Sequence, residues 1–137
     1  MIGIIIVTHA DLGKTLIETV EFILGSKQEN LLPISINIKE NPKNLRKKIK
    51  QGISKVKSDN RVLILTDMFG GTPSNLSYSF LKEGQVEVIS GVNLPILLKA
   101  VTERSKMDME TLTTALVAHG KRSISLASGI LKGAKRT

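Results

Sequence analysis

The chain has 137 residues, 41% of them hydrophobic, which suits one globular domain with a real core and leaves no room for a second. It lacks cysteine, which excludes a disulfide framework and thiolate metal sites and fits a reducing, cytoplasmic setting. Its net charge of +8 invites a nucleic-acid reading, but one Tyr, three Phe and no Trp provide no stacking platform, and no helix-turn-helix or finger spacing occurs, so no nucleic-acid partner is expected.

Apolar runs alternate with helix-period segments along the whole length, the pattern of βαβ units around a mostly parallel sheet. The first run, Ile2–Val7, is the longest. It is far short of the ~20 residues that cross a bilayer and no charged segment precedes it, so it reads as a buried strand and no direct membrane insertion is expected. The helix after it places Leu12, Leu16, Val20, Ile23 and Leu24 on one face and stops at Gly25. Strand 2 is Leu31–Ile36, near an edge because Pro33 cannot donate to a ladder.

Asn41 caps the next helix with Pro42 at its first position, and Leu45, Ile49, Ile53 and Val56 form its buried stripe. Lys43, Arg46, Lys47, Lys48, Lys50, Lys55, Lys57 and Arg61 cluster here and read as a solvated face. Strand 3, Val62–Leu65, ends in Thr66-Asp67. Thr72 is the expected cap of a short helix with Pro73 at its first position, running to about Lys82. Strand 4 is Val86–Ile89. The turn Gly91-Val92-Asn93-Leu94-Pro95 leads into a helix through about Glu103, and Asp108 caps another that ends near His119-Gly120. In the tail, Ser123–Ala127 alternates Ile124 and Leu126 with polar residues, as a half-exposed strand in need of a neighbour would.

Ligands of doubly wound sheets bind beyond the carboxyl ends of the strands, at the point where the direction of connection reverses, often between strands 1 and 3. Those two ends carry Thr8-His9 and Thr66-Asp67. Neighbouring strands ~4.8 Å apart would bring the imidazole and the carboxylate into hydrogen-bond reach. A carboxylate that accepts one imidazole N–H fixes the tautomer, leaves the other nitrogen as a nucleophile and stabilises the charge that develops as it attacks. The electrophile is suggested by Gly70-Gly71-Thr72-Pro73, whose backbone N–H groups open a helix and can hold an anion, with the Thr72 hydroxyl as a further donor. A phosphoryl group on the free nitrogen of His9 would sit in that cradle. Neither a metal nor a cofactor is required, since positioning and charge stabilisation dominate phosphoryl transfer.

Beyond these residues, the chain resembles the enzyme IIA domain of the mannose family of the bacterial phosphoenolpyruvate-dependent sugar phosphotransferase system. The marks are Ile5-Ile6-Val7-Thr8-His9, Thr66-Asp67-Met68-Phe69-Gly70-Gly71-Thr72-Pro73-Ser74-Asn75 and Val88-Ile89-Ser90-Gly91-Val92-Asn93-Leu94-Pro95, and the resemblance covers nearly the whole chain. It implies that His9 accepts a phosphoryl group from the phosphocarrier protein HPr, that Asp67 holds the other ring nitrogen, and that the group passes to a histidine of an enzyme IIB partner for sugar uptake. It also implies that Phe69 and the turn containing Gly91, Val92, Asn93 and Pro95 rim the site and receive partners.

The implied architecture is an α/β doubly wound sheet of order 2-1-3-4 with helices on both faces, a single domain over residues 1–137. The C-terminal strand, in residues 120–137, would be exchanged in a homodimer about a Gly120-Lys121-Arg122 hinge. Ser74 stands where sugar-permease members carry an aromatic, and the chain is basic where they tend to be acidic. The version found here looks more like stand-alone members that serve regulation, so a regulatory phosphoprotein without sugar transport is the alternative acceptor arrangement.

A rival of another class is a P-loop nucleotide-binding protein, because Gly13-Lys14-Thr15 follows a strand and Val62–Asp67 resembles a Walker B strand. The pattern needs glycine at position 8, where Thr8 stands, and its Cβ would obstruct the phosphate loop. Lys14 is therefore read as an exposed helix residue. His119 is read as a helix C-terminal residue matching the dipole, and Met68, Met107 and Met109 as packing or loop residues.

Overall fold

The computed structural model describes residues 1–37, 39–56, 59–68 and 70–132. Strands β1 (Gly3–His9), β2 (Leu31–Ile36), β3 (Val62–Thr66) and β4 (Val86–Ser90) alternate with helices α1 (Leu12–Leu24), α2 (Pro42–Val56) and α3 (Thr72–Tyr78). Three more helices follow β4: α4 (Leu94–Glu103), α5 (Met109–Arg122) and α6 (Ala127–Leu131). The four strands pair in parallel, as the sequence pattern predicts, in the order β2-β1-β3-β4 that the family resemblance implies, and Pro33 lies on the outermost strand at one end.

The period-two pleat sorts the strand residues into two cores. Ile4, Ile6, Leu63 and Leu65 pack with Ile17 and Val20 of α1, Ile96, Leu97, Ala100 and Val101 of α4, and Leu112 and Leu116 of α5. Ile5, Val7, Val62 and Ile64 face the other way, onto Leu45, Ile49 and Val56 of α2 and Leu76 beside them. Burying each such side chain is worth about 1.5–3 kcal/mol, so the sheet is sealed on both faces. Arg104 at the end of α4 is buried and donates to the carbonyls of Glu29 at 2.6 Å and Asn30 at 2.9 Å, pinning the loop before β2.

Several local expectations are corrected. On α1 the buried residues are Gly13, Ile17 and Val20, while Leu12, Ile23 and Leu24 are exposed. Gly13 lies on the sheet, where an added Cβ would stand 3.1 Å from the Ile6 carbonyl, and this rotates the buried face away from the leucines. Helix α3 is capped by Gly71 and starts with Thr72, so Thr72 is its first residue rather than its cap, and it ends at Tyr78.

Helix α5 continues through Arg122, which makes the expected hinge at Gly120-Lys121-Arg122 its last turn. Gly120 is packed there against Ile96, with room for no side chain. Residues 123–126 form no strand in this single chain, and Ala127–Leu131 is a short exposed helix. Ile124 and Leu126 are 80% and 75% exposed. No helix among the described residues is long and apolar enough to cross a membrane.

Candidate functional site

Because every strand pair is parallel, all four carboxyl ends lie along one edge of the sheet, and α1, α2, α3 and α4 each start from that edge. Val7 of β1 is level with Thr66 of β3, so the chain emerges from the two strands with His9 and Asp67 side by side. His9 Nδ1 is 2.8 Å from Asp67 Oδ2, and the backbone N–H of His9 donates to the same oxygen at 2.9 Å. The second carboxylate oxygen, Oδ1, accepts the N–H of Met68 at 3.0 Å.

Both oxygens of Asp67 are thus engaged, and its side chain is 12% exposed against 39% for His9. Burial disfavours the Asp67 carboxylate, but the N–H of His9, the ring hydrogen bond and the ring's charge outweigh it, and the pKa lies below the ordinary carboxylate value. An ionised carboxylate only accepts, so Nδ1 must be the donor. In the neutral ring the lone pair then belongs to Nε2, which has no hydrogen-bond partner among the described residues.

Gly71 closes over the ring. A Cβ at Gly71 would lie 3.2 Å from His9 Cε1 and 3.2 Å from Met68 Cγ, so the absence of a side chain is what lets the loop approach the imidazole. Gly70 beside it has φ +81°, a left-handed conformation that glycine adopts without strain. Thr72 is exposed at the start of α3. Gly70, Gly71 and Thr72 therefore sit immediately beyond the His9–Asp67 pair, while Phe69 falls outside the described residues.

The turn of Gly91, Val92, Asn93 and Pro95 borders the same edge through Thr66, whose carbonyl accepts both Gly91 N–H at 3.0 Å and Val92 N–H at 2.9 Å. Within it Asn93 is a helix cap: its side-chain oxygen accepts the N–H of Ile96 at 2.9 Å. Val92 packs against the core, and Gly91, with φ +90°, is the exposed point of the turn.

A feature the sequence reading missed lies directly beneath. Ser74 is buried and its hydroxyl donates to the Met68 carbonyl at 2.5 Å. It also meets Ser90 Oγ at 2.9 Å and lies beside Thr66 Oγ1, which donates to Ser90 at 3.0 Å, and Tyr78 OH reaches Ser90 at 3.1 Å. This cluster ties the loop that carries Asp67 to the ends of β3 and β4. Two of its members, Thr66 and Ser90, are visible in the sequence as hydroxyl residues at the carboxyl ends of β3 and β4, but nothing in the sequence joins them to Ser74 or Tyr78.

Thr8 also decides the P-loop reading. It is buried, and its Oγ1 accepts the N–H of Gly13 at 2.9 Å, so the first turn of α1 is closed by the protein's own hydroxyl. Lys14 points to solvent on the exposed side of α1. No group of three or more His, Asp and Glu side chains gathers at one point among the described residues.

The model of the family described as the PTS system fructose IIA component, where PTS is the phosphotransferase system, matches residues 3–117. Among characterised relatives, the PTS system fructose-specific EIIA component of Bacillus subtilis (strain 168) is 34% identical over 136 residues, covering 98% of this chain and 92% of that one. The PTS system sorbose-specific EIIA component of Lacticaseibacillus casei is 36% identical over 115 residues, covering 83% and 82%. The crystal structure of phosphotransferase system component EIIA from Streptococcus agalactiae superposes with a TM-score of 0.84 at 27% identity, over 93% of this chain and 98% of that one. The chain belongs to the enzyme IIA components of the mannose and fructose family of the phosphotransferase system.

Proposed function

We propose that His9 is the phosphoryl-carrying residue of this component. Its Nε2 takes the group from phospho-HPr and returns it to a histidine of an enzyme IIB partner in sugar uptake. The observation that carries the reading is the double engagement of Asp67 Oδ2 by His9, which leaves Nε2 as the free nitrogen of a ring fixed in place. In the first step the Nε2 lone pair attacks phosphorus, the donor's P–N bond breaks and its electron pair returns to the donor imidazole. The ring gains positive charge as the Nε2–P bond forms, and Asp67, already ionised, stabilises that charge through Nδ1–H. The second step is the reverse toward a new acceptor nitrogen.

The phosphoryl oxygens would lie against the amides of Gly70, Gly71 and Thr72, which the closeness of Gly71 to the ring supports. Gly91, Val92 and Pro95 would form the rim met by a partner, with Asn93 shaping that rim as a cap.

A homodimer belongs to the same reading. Strand β4 ends the sheet, and a groove of about 530 Å3 runs beside it, lined by Glu87, Val88, Ile89, Thr113, Val117 and Lys121. Ile124 and Leu126, exposed in one chain, would pair as a strand along β4 of the other.

The test is a chase. Phosphoenolpyruvate, enzyme I and HPr should label the chain, and added enzyme IIB should discharge it. A chain that is never labelled overturns the carrier role. One that is labelled but discharged by no enzyme IIB favours the regulatory alternative.

A further inference from the structure

Met68 is held at both ends of its backbone. Its N–H donates to Asp67 Oδ1 at 3.0 Å, and its carbonyl accepts the Ser74 hydroxyl at 2.5 Å. Its side chain closes the arrangement, because a Cβ at Gly71 would stand 3.2 Å from Met68 Cγ as well as 3.2 Å from His9 Cε1. One residue thus joins the carboxylate, the glycine over the ring and the first turn of α3.

The direction of these bonds follows from proton accounting. A carbonyl only accepts, so the single hydroxyl proton of Ser74 points at Met68 and the Ser74 oxygen is left to accept. Ser90 Oγ at 2.9 Å and Thr66 Oγ1 at 2.5 Å are the hydroxyls beside it, and Tyr78 OH stands behind Ser90 at 3.1 Å. The protons of the cluster therefore run toward the Met68 carbonyl, each bond polarising the next, and Ser74 and Thr66 are fully buried, where water does not compete.

Ser77 provides the contrast. It is as deeply buried on the same helix, but its hydroxyl donates to the Pro73 carbonyl at 2.6 Å, a bond that stays inside α3. Ser74 instead reaches out of the helix to the segment that carries Asp67.

We propose that Ser74 is a positioning residue for the transfer reaction. Hydrogen bonds run from its hydroxyl to the Met68 carbonyl, from the Met68 N–H to Asp67 Oδ1, and from Asp67 Oδ2 to the ring and backbone of His9. Removing the hydroxyl frees the Met68 carbonyl, and with it the segment that sets the carboxylate against the ring. The proposal rests on the carrier reading above and extends it to a residue that acts through Met68 and Asp67, not on the phosphoryl group.

The test compares the wild type with Ser74→Ala, Ser74→Cys and Ser77→Ala in two measurements. The first is the kinetics of phosphoryl transfer from phospho-HPr. Ser74→Ala should lower kcat roughly tenfold and leave KM within about twofold of wild type, because a misplaced nucleophile slows the step without weakening the encounter. Ser74→Cys keeps the volume with a far weaker donor and should fall between. Ser77→Ala loses the same atom from the same helix and should keep both constants within about twofold.

The second is the nitrogen-15 NMR spectrum of the His9 ring in the unphosphorylated protein, with the ring neutral. Wild type and Ser77→Ala should show the Nδ1–H form alone, and Ser74→Ala a mixture of the two tautomers. Wild-type kcat in Ser74→Ala, an equal loss in Ser77→Ala, or a loss confined to KM overturns the proposal. So does a ring spectrum in Ser74→Ala identical to that of wild type. If Ser74→Ala does not fold, Ser74→Cys is judged by the same criteria. If the wild type takes no label, the carrier reading fails, and the ring spectra still judge the positioning.

Discussion

One oxygen of Asp67, Oδ2, accepts both hydrogens that His9 offers, the backbone N–H at 2.9 Å and the ring Nδ1–H at 2.8 Å. The backbone bond fixes where the carboxylate stands, and the ring bond fixes which nitrogen is left to react. Position and tautomer are thereby set by the same atom.

Asp67→Ala should therefore slow phosphoryl transfer by roughly 10²-fold while leaving the fold intact, because the residue orients and charges the nucleophile rather than filling a core. Asp67→Asn keeps an acceptor without the charge and should fall between. Rapid-quench transfer kinetics with circular dichroism as the fold check measure this. Wild-type rates in Asp67→Ala would remove the residue from the mechanism.

Asp67 also has a pH signature. Its folded pKa lies below the ordinary carboxylate value, so the stabilisation it contributes is complete above the unfolded-chain pKa and is lost as pH falls through the folded one. In a carbon-detected NMR titration its carboxyl should titrate below the usual carboxylate range. In His9→Ala the ring bond and ring charge are gone while burial persists, so the midpoint should rise. A midpoint in the wild type at or above the unfolded value would contradict the hydrogen-bond assignment.

Gly71→Ala probes the approach of the loop to the ring. The new methyl would meet His9 Cε1 and Met68 Cγ, each at 3.2 Å, and since Gly71 has an ordinary extended backbone no dihedral strain confuses the result. Transfer should drop roughly tenfold with only a small change in melting temperature. An unaffected rate would place the reacting phosphoryl group elsewhere.

A chain ending at Ser123 tests the dimer. Helix α6 buries no residue of its own chain, so in a monomer its loss should leave the melting temperature almost unchanged. If Ile124 and Leu126 pair across subunits, sedimentation of the shortened chain should show monomer where the full chain shows dimer. A shortened chain that still sediments as a dimer would remove the strand exchange.

The fold was legible because the strands are dominated by Val, Ile and Leu, the starts of α1 to α5 carry Pro, Asn or Asp, and most connections are short. The His9–Asp67 pair was legible because parallel order 2-1-3-4 leaves little choice about which strand ends meet. The face of α1 was misread because Leu12, Ile23 and Leu24 carry the helical period, yet the close approach of Gly13 to Ile6 decides which side is buried. Gly120 resembled a helix stop, but its missing side chain serves Ile96 instead. The Ser74 cluster was out of reach for a different reason: its members come from β3, α3 and β4, and only folding shows that their hydroxyls converge under Met68.

The central claim is that Nε2 of His9 carries the phosphoryl group, and the most direct measurement is mass spectrometry of the protein after incubation with phosphoenolpyruvate, enzyme I and HPr. The account predicts one acid-labile phosphoryl group per chain, located on His9 and absent from His9→Ala. A label on any other residue, or equal labelling of His9→Ala, would contradict it.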